Sequence, residues 1–93
     1  MFFTYIIQSQ DDNSYYIGHS SDIIKRLEYH NQGLSRYTSK KVPWKLVYIE
    51  IFQTKKEANM RELFLKKQRN RAFYDRLISS DSNKIHHLDK QKS

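Results

Sequence analysis

The sequence predicts a small mixed α/β domain of the α+β class, in which a three-stranded, mainly antiparallel sheet is flanked by helices. Two short aromatic and β-branched segments near the amino terminus are joined by a polar turn, as in a β-hairpin. A third strand pattern stands alone in mid-chain, and apolar residues at helical spacing follow the second and third strands. The 93 residues suffice for one domain. The predicted order is therefore β-β-α-β-α-α.

The hairpin and the first helix are predicted from the first third of the chain. Residues 2–8, FFTYIIQ, and residues 15–18, YYIG, have the side chains that strands favour. Residues 10–14, QDDNS, favour a turn between them. The Ser-Ser-Asp at 20–22 then offers helix N-caps, and the helix it opens is predicted to run to about Gln32.

A basic loop and a long strand occupy the middle of the chain. Residues 33–43 combine glycine, serine, threonine and proline with three basic residues. Residues 44–52, WKLVYIEIF, form the strongest strand pattern, with apolar residues on both faces. Because such strands are usually covered on both sides, this pattern predicts a central strand.

Two further helices and a polar tail are predicted after the third strand. Thr54 and Glu57 have the spacing of a capping box, which opens the second helix. Asn70 offers a cap for a third, shorter helix. The chain is mostly polar from residue 79 onward. We therefore expect a domain over residues 1–79 and a flexible tail over residues 80–93.

Composition and charge exclude several classes of protein. The chain has no cysteine, which excludes disulfide scaffolds and thiolate metal sites and favours the cytoplasm. It has no apolar run long enough for a membrane span and no basic leader region, and so small a core cannot enclose a large organic cofactor. The net charge of +7 is uneven, since residues 1–35 carry −2 and residues 36–93 carry +9. This excess suggests a polyanionic partner, most often nucleic acid, although a solvated surface is the alternative.

Candidate functional residues occur on the hairpin and on the first helix. Tyr5 and Tyr16 lie on adjacent predicted strands, and Gly18 removes a side chain where the second strand ends. Tyrosines that simply pack the sheet are the alternative. Arg26 and His30 are four residues apart and share one helix face. The alternative to a functional role is that Arg26 is an ordinary surface cation and that His30 satisfies carbonyl groups at the end of the helix.

Glu62 is the candidate on the second helix. It shares a helix edge with Ala58 and Leu65, and a carboxylate beside a core has to be paired, hydrated or bound to a metal. A helical ion pair with Lys66, four residues on, is the alternative.

Taken together, these residues resemble the GIY-YIG nuclease family, over about residues 2–78. The matching segments are Thr4-Tyr5-Ile6, Tyr16-Ile17-Gly18, the helix from Ser20 to Asn31 with Arg26, Arg36-Tyr37-Thr38, residues 43–48, Glu57-Ala58, Arg61-Glu62 and Leu65-Lys66-Lys67. The chain looks most like the small stand-alone bacterial members and the amino-terminal domain of an excision-repair nuclease. It departs from the family pattern at Thr4, which replaces the first glycine, and at Tyr74, where several relatives have asparagine.

The resemblance implies a metal-dependent DNA endonuclease that hydrolyses phosphodiester bonds with one divalent ion, Mg²⁺ or Mn²⁺. The implied catalytic residues are Tyr5, Tyr16, Arg26, His30 and Glu62. Glu62 is the implied metal ligand, and Arg26 the implied phosphate clamp. Tyr16 is the favoured base, with the other tyrosine in a positioning role. His30 or His19 is the next candidate for proton handling.

The implied partner is DNA, and its contacts are predicted along the basic surface. They are His19, Arg36, Lys40, Lys41, Lys45, Lys66, Lys67, Arg69 and Arg71. Tyr37 or Trp44 offers a ring for stacking on an unpaired base. The sequence does not decide whether the DNA is single-stranded, duplex or branched. It also leaves open whether the protein is a monomer or a weak homodimer. DNA repair is one biological setting among several. The alternative function is a non-catalytic nucleic-acid-binding module.

Overall fold

The computed structural model describes residues 1–86 and confirms the predicted fold class and order of elements. The strands are β1 (Phe2–Ser9), β2 (Tyr15–Ser20) and β3 (Trp44–Phe52), and the helices are α1 (Ile23–Asn31), α2 (Lys55–Gln68) and α3 (Arg71–Ile78). A short 3-10 helix, Thr38–Lys41, lies within the predicted basic loop. Within residues 1–86, no helix has both the length and the hydropathy that a membrane span requires.

β1 is the central strand, and both of its neighbours run antiparallel to it. The segment Thr4–Ile7 is buried throughout, because helices cover both faces of the sheet. On one face Tyr5 packs in a cluster with Ile23 of α1. On the other face Ile6 packs in a cluster with Leu65 of α2. The two clusters fix α1 and α2 against opposite faces of the same strand.

β3 lies at the edge of the sheet, so the central position predicted from its sequence is wrong. No further strand pairs with this edge within residues 1–86, and the segment that follows α3 covers it. Asn83, which is only 8% exposed, accepts a hydrogen bond from the Ile49 N–H and donates one to the Val47 carbonyl. The Lys84 N–H donates to the Ile49 carbonyl at 2.9 Å. These contacts pair backbone groups at the edge of the strand. Its two faces are apolar because Ile49 packs in one core cluster and Tyr48 in the other.

The segment that follows α3 is packed against the domain, although the sequence predicted a flexible tail from residue 80. Ile85 packs against the cluster that contains Tyr5, and the Asn83 amide also donates to the Ile78 carbonyl at 2.8 Å. One apolar residue and one amide in a polar stretch have no periodicity, so the sequence pattern missed them. The rest of the predicted tail, residues 87–93, lies outside the described residues.

Replacing Asn83 by alanine is expected to lower the free energy of unfolding by about 2 kcal/mol, because it leaves buried backbone groups of β3 unpaired. The measurement is urea denaturation followed by circular dichroism. Asp81→Ala serves as the matched control, since Asp81 is exposed in the same segment. Equal stability of the two variants would show that the segment does not hold the edge of the sheet.

Helix caps fix where the helices begin, as the sequence predicts. The Asp22 side chain accepts from a backbone N–H in the first turn of α1. Thr54 and Glu57 form a complete capping box at the start of α2. Asn70 caps α3 in the same way as Asp22 caps α1. Each cap satisfies N–H groups that have no partner within the helix.

A hydrogen bond ties β1 to α2. Thr4 is fully buried, and its Oγ1 donates to the Ala58 carbonyl at 2.7 Å. The hydroxyl at a position where the family pattern has glycine thus makes a structural contact. It fixes the first turns of α2, and with them Glu62, against the strand that carries Tyr5.

Candidate active site

Tyr5 and Gly18 face each other across the hairpin and form the base of the site. The two residues are register partners in β1 and β2, and Tyr5 is only 2% exposed. A Cβ atom at Gly18 would lie 2.5 Å from the Tyr5 hydroxyl oxygen and 2.6 Å from its ring carbon Cζ. The tyrosine ring therefore occupies the space that the missing side chain leaves, which is the reason for glycine at this position.

A buried chain of hydrogen bonds runs from Tyr5 through His30 to Thr38. The Tyr5 hydroxyl lies 2.9 Å from His30 Nε2, and His30 Nδ1 lies 2.8 Å from Thr38 Oγ1. Burial, and secondly the charge of Arg26, lower the pKa of His30 to about 4. Burial also raises the pKa of Tyr5, with a further contribution from Tyr16. Both groups are therefore neutral near pH 7, and the chain positions the hydroxyl rather than moving a charge.

The low pKa of His30 predicts a pH dependence of stability. The unfolded chain binds a proton near pH 6.5, whereas the folded state resists protonation down to about pH 4. The contribution of neutral His30 is complete above pH 6.5 and is lost as the pH falls through this window. This lowering of the His30 pKa from 6.5 to about 4 corresponds to about 3 kcal/mol in the free energy of unfolding.

Urea denaturation between about pH 7 and about pH 4 measures this loss. We expect the free energy of unfolding to fall steeply in the wild type and less steeply in His30→Gln, whose side chain does not titrate. Equal slopes in both proteins would contradict the assignment.

Glu62 joins α2 to β2 through its carboxylate. Its side chain is 12% exposed. Oε1 lies 2.6 Å from Nδ1 of His19, and Oε2 lies 2.6 Å from Nζ of Lys66. The Lys66 contact is the helical pair that the sequence offered as an alternative. His19, expected to contact nucleic acid, instead contacts the carboxylate of the expected metal ligand.

Arg26 extends from the exposed side of α1 towards the same region. It lines an open cleft of about 250 Å³ together with His19. Its positive charge lowers the pKa of His30 and opposes the raised pKa of Tyr5. Arg26 therefore lies beside the histidine that contacts Glu62 and within electrostatic range of the buried chain.

Tyr16 differs from Tyr5 in its surroundings. It is half-buried on β2, and its ring centroid lies 5.1 Å from that of His30 and 5.9 Å from that of Tyr37. It also lines an open cleft, whereas Tyr5 is enclosed. Of the two tyrosines, Tyr16 is therefore the one that a substrate or water is able to reach.

The predicted nucleic-acid contacts fall into two groups. Five are exposed and form no ion pair within residues 1–86, namely Arg36, Lys40, Lys45, Lys67 and Arg69. Four contact other residues of the chain: His19 and Lys66 contact Glu62, Lys41 contacts Asp12, and Arg71 contacts Asn13 and Asp75. The first five residues therefore offer cations to DNA phosphates without the loss of an ion pair within the protein.

The two rings predicted to stack on a base have opposite environments. Trp44 is only 3% exposed, and its Nε1–H donates to the Thr38 carbonyl, so it is a core residue. Tyr37 is 55% exposed. Tyr74 donates to the Leu65 carbonyl at 2.7 Å and accepts from the Arg69 N–H, so it closes the end of α2.

A divalent ion would find one suitable carboxylate in this site. Within residues 1–86, no three His, Cys, Asp or Glu residues are placed to hold a metal. Mg²⁺ needs only one or two carboxylates, since it keeps several waters and uses substrate phosphate oxygens. Glu62, which contacts His19 in the wall of the cleft that holds Arg26, fits that donor set. An ion at this carboxylate would replace Lys66 or His19 at one oxygen.

Comparison with known proteins decides the family. A family model described as the GIY-YIG catalytic domain matches residues 1–75. The chain belongs to the GIY-YIG family. It thus has a nuclease-type domain.

Bacterial proteins with the name UPF0213 resemble the chain over different lengths. It is 40% identical to the UPF0213 protein CPE1444 of Clostridium perfringens, over 98% of this chain and 97% of that protein. It is 39% identical to the UPF0213 protein YazA of Bacillus subtilis, over 70% of this chain and 66% of that protein. The solution NMR structure of the UPF0213 protein BH0048 from Bacillus halodurans superposes with a TM-score of 0.54 at 28% identity, covering 97% and 96% of the two chains.

Proposed function

We propose that the protein is a divalent-metal-dependent endonuclease that hydrolyses DNA phosphodiester bonds. The observation that supports this is that His19 links an acidic and a cationic side chain: it contacts Glu62 at 2.6 Å, and it lines one cleft together with Arg26. Metal-dependent hydrolysis of a phosphodiester needs a ligand for the metal ion and a group that stabilises negative charge on the phosphate.

Arg26 is the phosphate-binding residue of this proposal. It is exposed and lines the cleft, so a backbone phosphate reaches its guanidinium without rearrangement of the core. A planar guanidinium donates two parallel hydrogen bonds to phosphate oxygens, which lysine does not. Arg26 therefore stabilises the charge that develops on the phosphate during attack.

Glu62 holds the divalent ion, Mg²⁺ or Mn²⁺. When bound, the ion polarises the scissile phosphate and stabilises the leaving oxygen. His19 orients the Glu62 carboxylate from the β2 side through its 2.6 Å contact. The His19 contact holds one carboxylate oxygen in place before substrate binds, and the ion would displace Lys66 from the other oxygen.

Tyr16 is the residue that orients the attacking water. Tyr5 is unsuited, because it is enclosed and its hydroxyl lies 2.9 Å from His30. Tyr16 is half-buried beside an open cleft, on the strand that pairs with the strand carrying Tyr5. The buried Tyr5–His30 pair positions the hairpin on which Tyr16 lies.

The test is cleavage of labelled single-stranded, duplex and branched DNA with Mg²⁺ or Mn²⁺. Arg26→Ala is expected to lower cleavage by at least about 10²-fold, with Arg26→Lys recovering only part of the loss. Tyr16→Phe is also expected to lower the rate while leaving DNA affinity unchanged. The matched control is Lys25→Ala, an exposed cation on the same helix. Salt-sensitive DNA binding without cleavage in any protein would support the binding module instead.

A further inference from the structure

An open cleft walled by tyrosines lies next to the candidate active site. We call it the aromatic cleft, and its lining residues are Tyr15, Tyr16, Ile17, Tyr37, Lys66 and Tyr74. Its volume is about 270 Å³. This lies just below the range of roughly 300–1,000 Å³ for small-molecule sites, which suits one planar ring system.

The rings of the aromatic cleft are held in place before any ligand arrives. The Tyr15 hydroxyl donates to Asp75 at 2.6 Å, and the Tyr74 hydroxyl donates to the Leu65 carbonyl at 2.7 Å. Tyr15 and Tyr74 meet edge to face with centroids 6.1 Å apart. With their hydroxyls fixed, these rings offer surface to a ligand at little cost in conformational entropy.

Tyr37 is the exposed ring of the aromatic cleft. It stacks on Tyr16 with centroids 5.9 Å apart and an interplanar angle of 27°, yet 55% of the residue stays exposed. A large aromatic side chain at this exposure is available as a stacking platform. More than half of the Tyr37 surface thus lies outside the packed core.

Cations flank the rings. Lys66 Nζ lies 5.9 Å from the Tyr16 centroid, and Lys41 Nζ lies 5.1 Å from the Tyr37 centroid. Aromatic faces interleaved with cations suit a nucleobase together with its phosphate. An acidic peptide would use the cations but would leave the planar faces without a matching group.

Lys66 connects the aromatic cleft to the candidate active site. Its Nζ lies 2.6 Å from the Glu62 carboxylate, and the same side chain forms part of the wall of the aromatic cleft. A base in the cleft thus lies next to the position proposed for the cleaved phosphate.

We propose that the aromatic cleft binds one unpaired nucleobase next to the cleaved phosphate, with Tyr37 as the stacking ring. A base within a duplex is covered on both faces by its neighbours, so it has to leave the stack to enter the cleft. The substrate class is DNA with an unpaired nucleotide at the cleavage point, from a single strand, a flap or an extruded base. This inference rests on the proposed nuclease function only for the position of the cut.

The test is binding of 2-aminopurine DNA in the presence of EDTA, which separates binding from cleavage. The probe base is placed in a single strand, in a flap and in a fully paired duplex. We expect binding to quench its fluorescence in the first two, and to leave it unchanged in the duplex, where stacking on the neighbouring bases already quenches the probe. Tyr37→Ala is expected to weaken single-strand binding about fivefold or more and to abolish the quenching. Tyr37→Phe keeps the ring and should restore both.

Phe64→Ala is the matched control, because Phe64 is an exposed ring on α2 outside the aromatic cleft. Unchanged quenching and affinity in Tyr37→Ala would overturn the inference. Cleavage of paired DNA without quenching in any substrate would also overturn it while leaving the nuclease function intact. Quenching that depends on Tyr37 in a protein without cleavage would support the base site and contradict the nuclease function.

Discussion

Replacing Glu62 by glutamine is expected to abolish metal-dependent DNA cleavage, lowering the rate by at least about 10³-fold. Glutamine has nearly the same shape, and its amide oxygen accepts from His19 at the position of Oε1. It lacks the negative charge that a hard divalent ion requires. The variant therefore removes the proposed ligand while keeping the contact that holds α2 to β2.

Two measurements separate a lost metal ligand from a damaged fold. Electron paramagnetic resonance of Mn²⁺ in the presence of DNA should show weaker binding in Glu62→Gln, and the urea midpoint should change little. Glu28→Gln is the matched control, since Glu28 is an exposed carboxylate on α1. Cleavage by Glu62→Gln at the wild-type rate would remove Glu62 from the proposed role.

Among substitutions of residues that do not themselves contact DNA, replacing Gly18 by alanine is expected to have the largest effect on stability and cleavage. The added Cβ would lie 2.5 Å from the Tyr5 hydroxyl oxygen, so the ring has to move. The ring is buried and its hydroxyl lies 2.9 Å from His30, which leaves it little freedom to do so. We expect a loss of about 2–3 kcal/mol in the free energy of unfolding and a large loss of cleavage.

A double-mutant cycle with Tyr5→Ala tests the stated cause. In the absence of the tyrosine ring, Gly18→Ala should cost little, so the two effects should be strongly non-additive. Gly33→Ala is the matched control, since Gly33 has a φ of +76° but only Ser39 Cβ, at 3.8 Å, near an added Cβ. It should lose about 1 kcal/mol through backbone strain alone and keep its activity. Additive effects in the cycle would contradict the steric account.

Local chemistry made much of the fold predictable. The capping box of Thr54 and Glu57 and the cap at Asn70 depend on residues within one helical turn, and both are present. The two strands of the hairpin are separated by a short turn, so their pairing followed from sequence alone. Such features are set by neighbours in the chain, which is why pattern and propensity were sufficient.

The contacts that the sequence did not predict join distant segments. His19 and Glu62 are 43 residues apart, and no spacing rule relates a strand end to a helix face at that separation. Thr38 was read as a loop residue, yet it completes the hydrogen-bond chain of His30. The edge position of β3 depends on Asn83, whose signal is one amide in a polar stretch. Tertiary packing decides all three.

Glu62 shows why the two interpretations of a single residue need not exclude each other. The helical pair with Lys66 is present at 2.6 Å, as the structural alternative predicts. The same carboxylate also contacts His19 beside the cleft that holds Arg26, as a catalytic role requires. An ion pair in the absence of metal therefore says little against metal binding, because a divalent ion competes with the lysine for one oxygen.

The most direct measurement is cleavage of labelled single-stranded and duplex DNA across the final size-exclusion fractions of the purified chain, with Mn²⁺ and with EDTA. We predict that cleavage rises and falls with the protein peak, requires the metal, and is absent from fractions of Glu62→Gln prepared in parallel. Cleavage that is displaced from the peak, or that persists in Glu62→Gln, would contradict the assignment of this chain as a nuclease with Glu62 as its metal ligand.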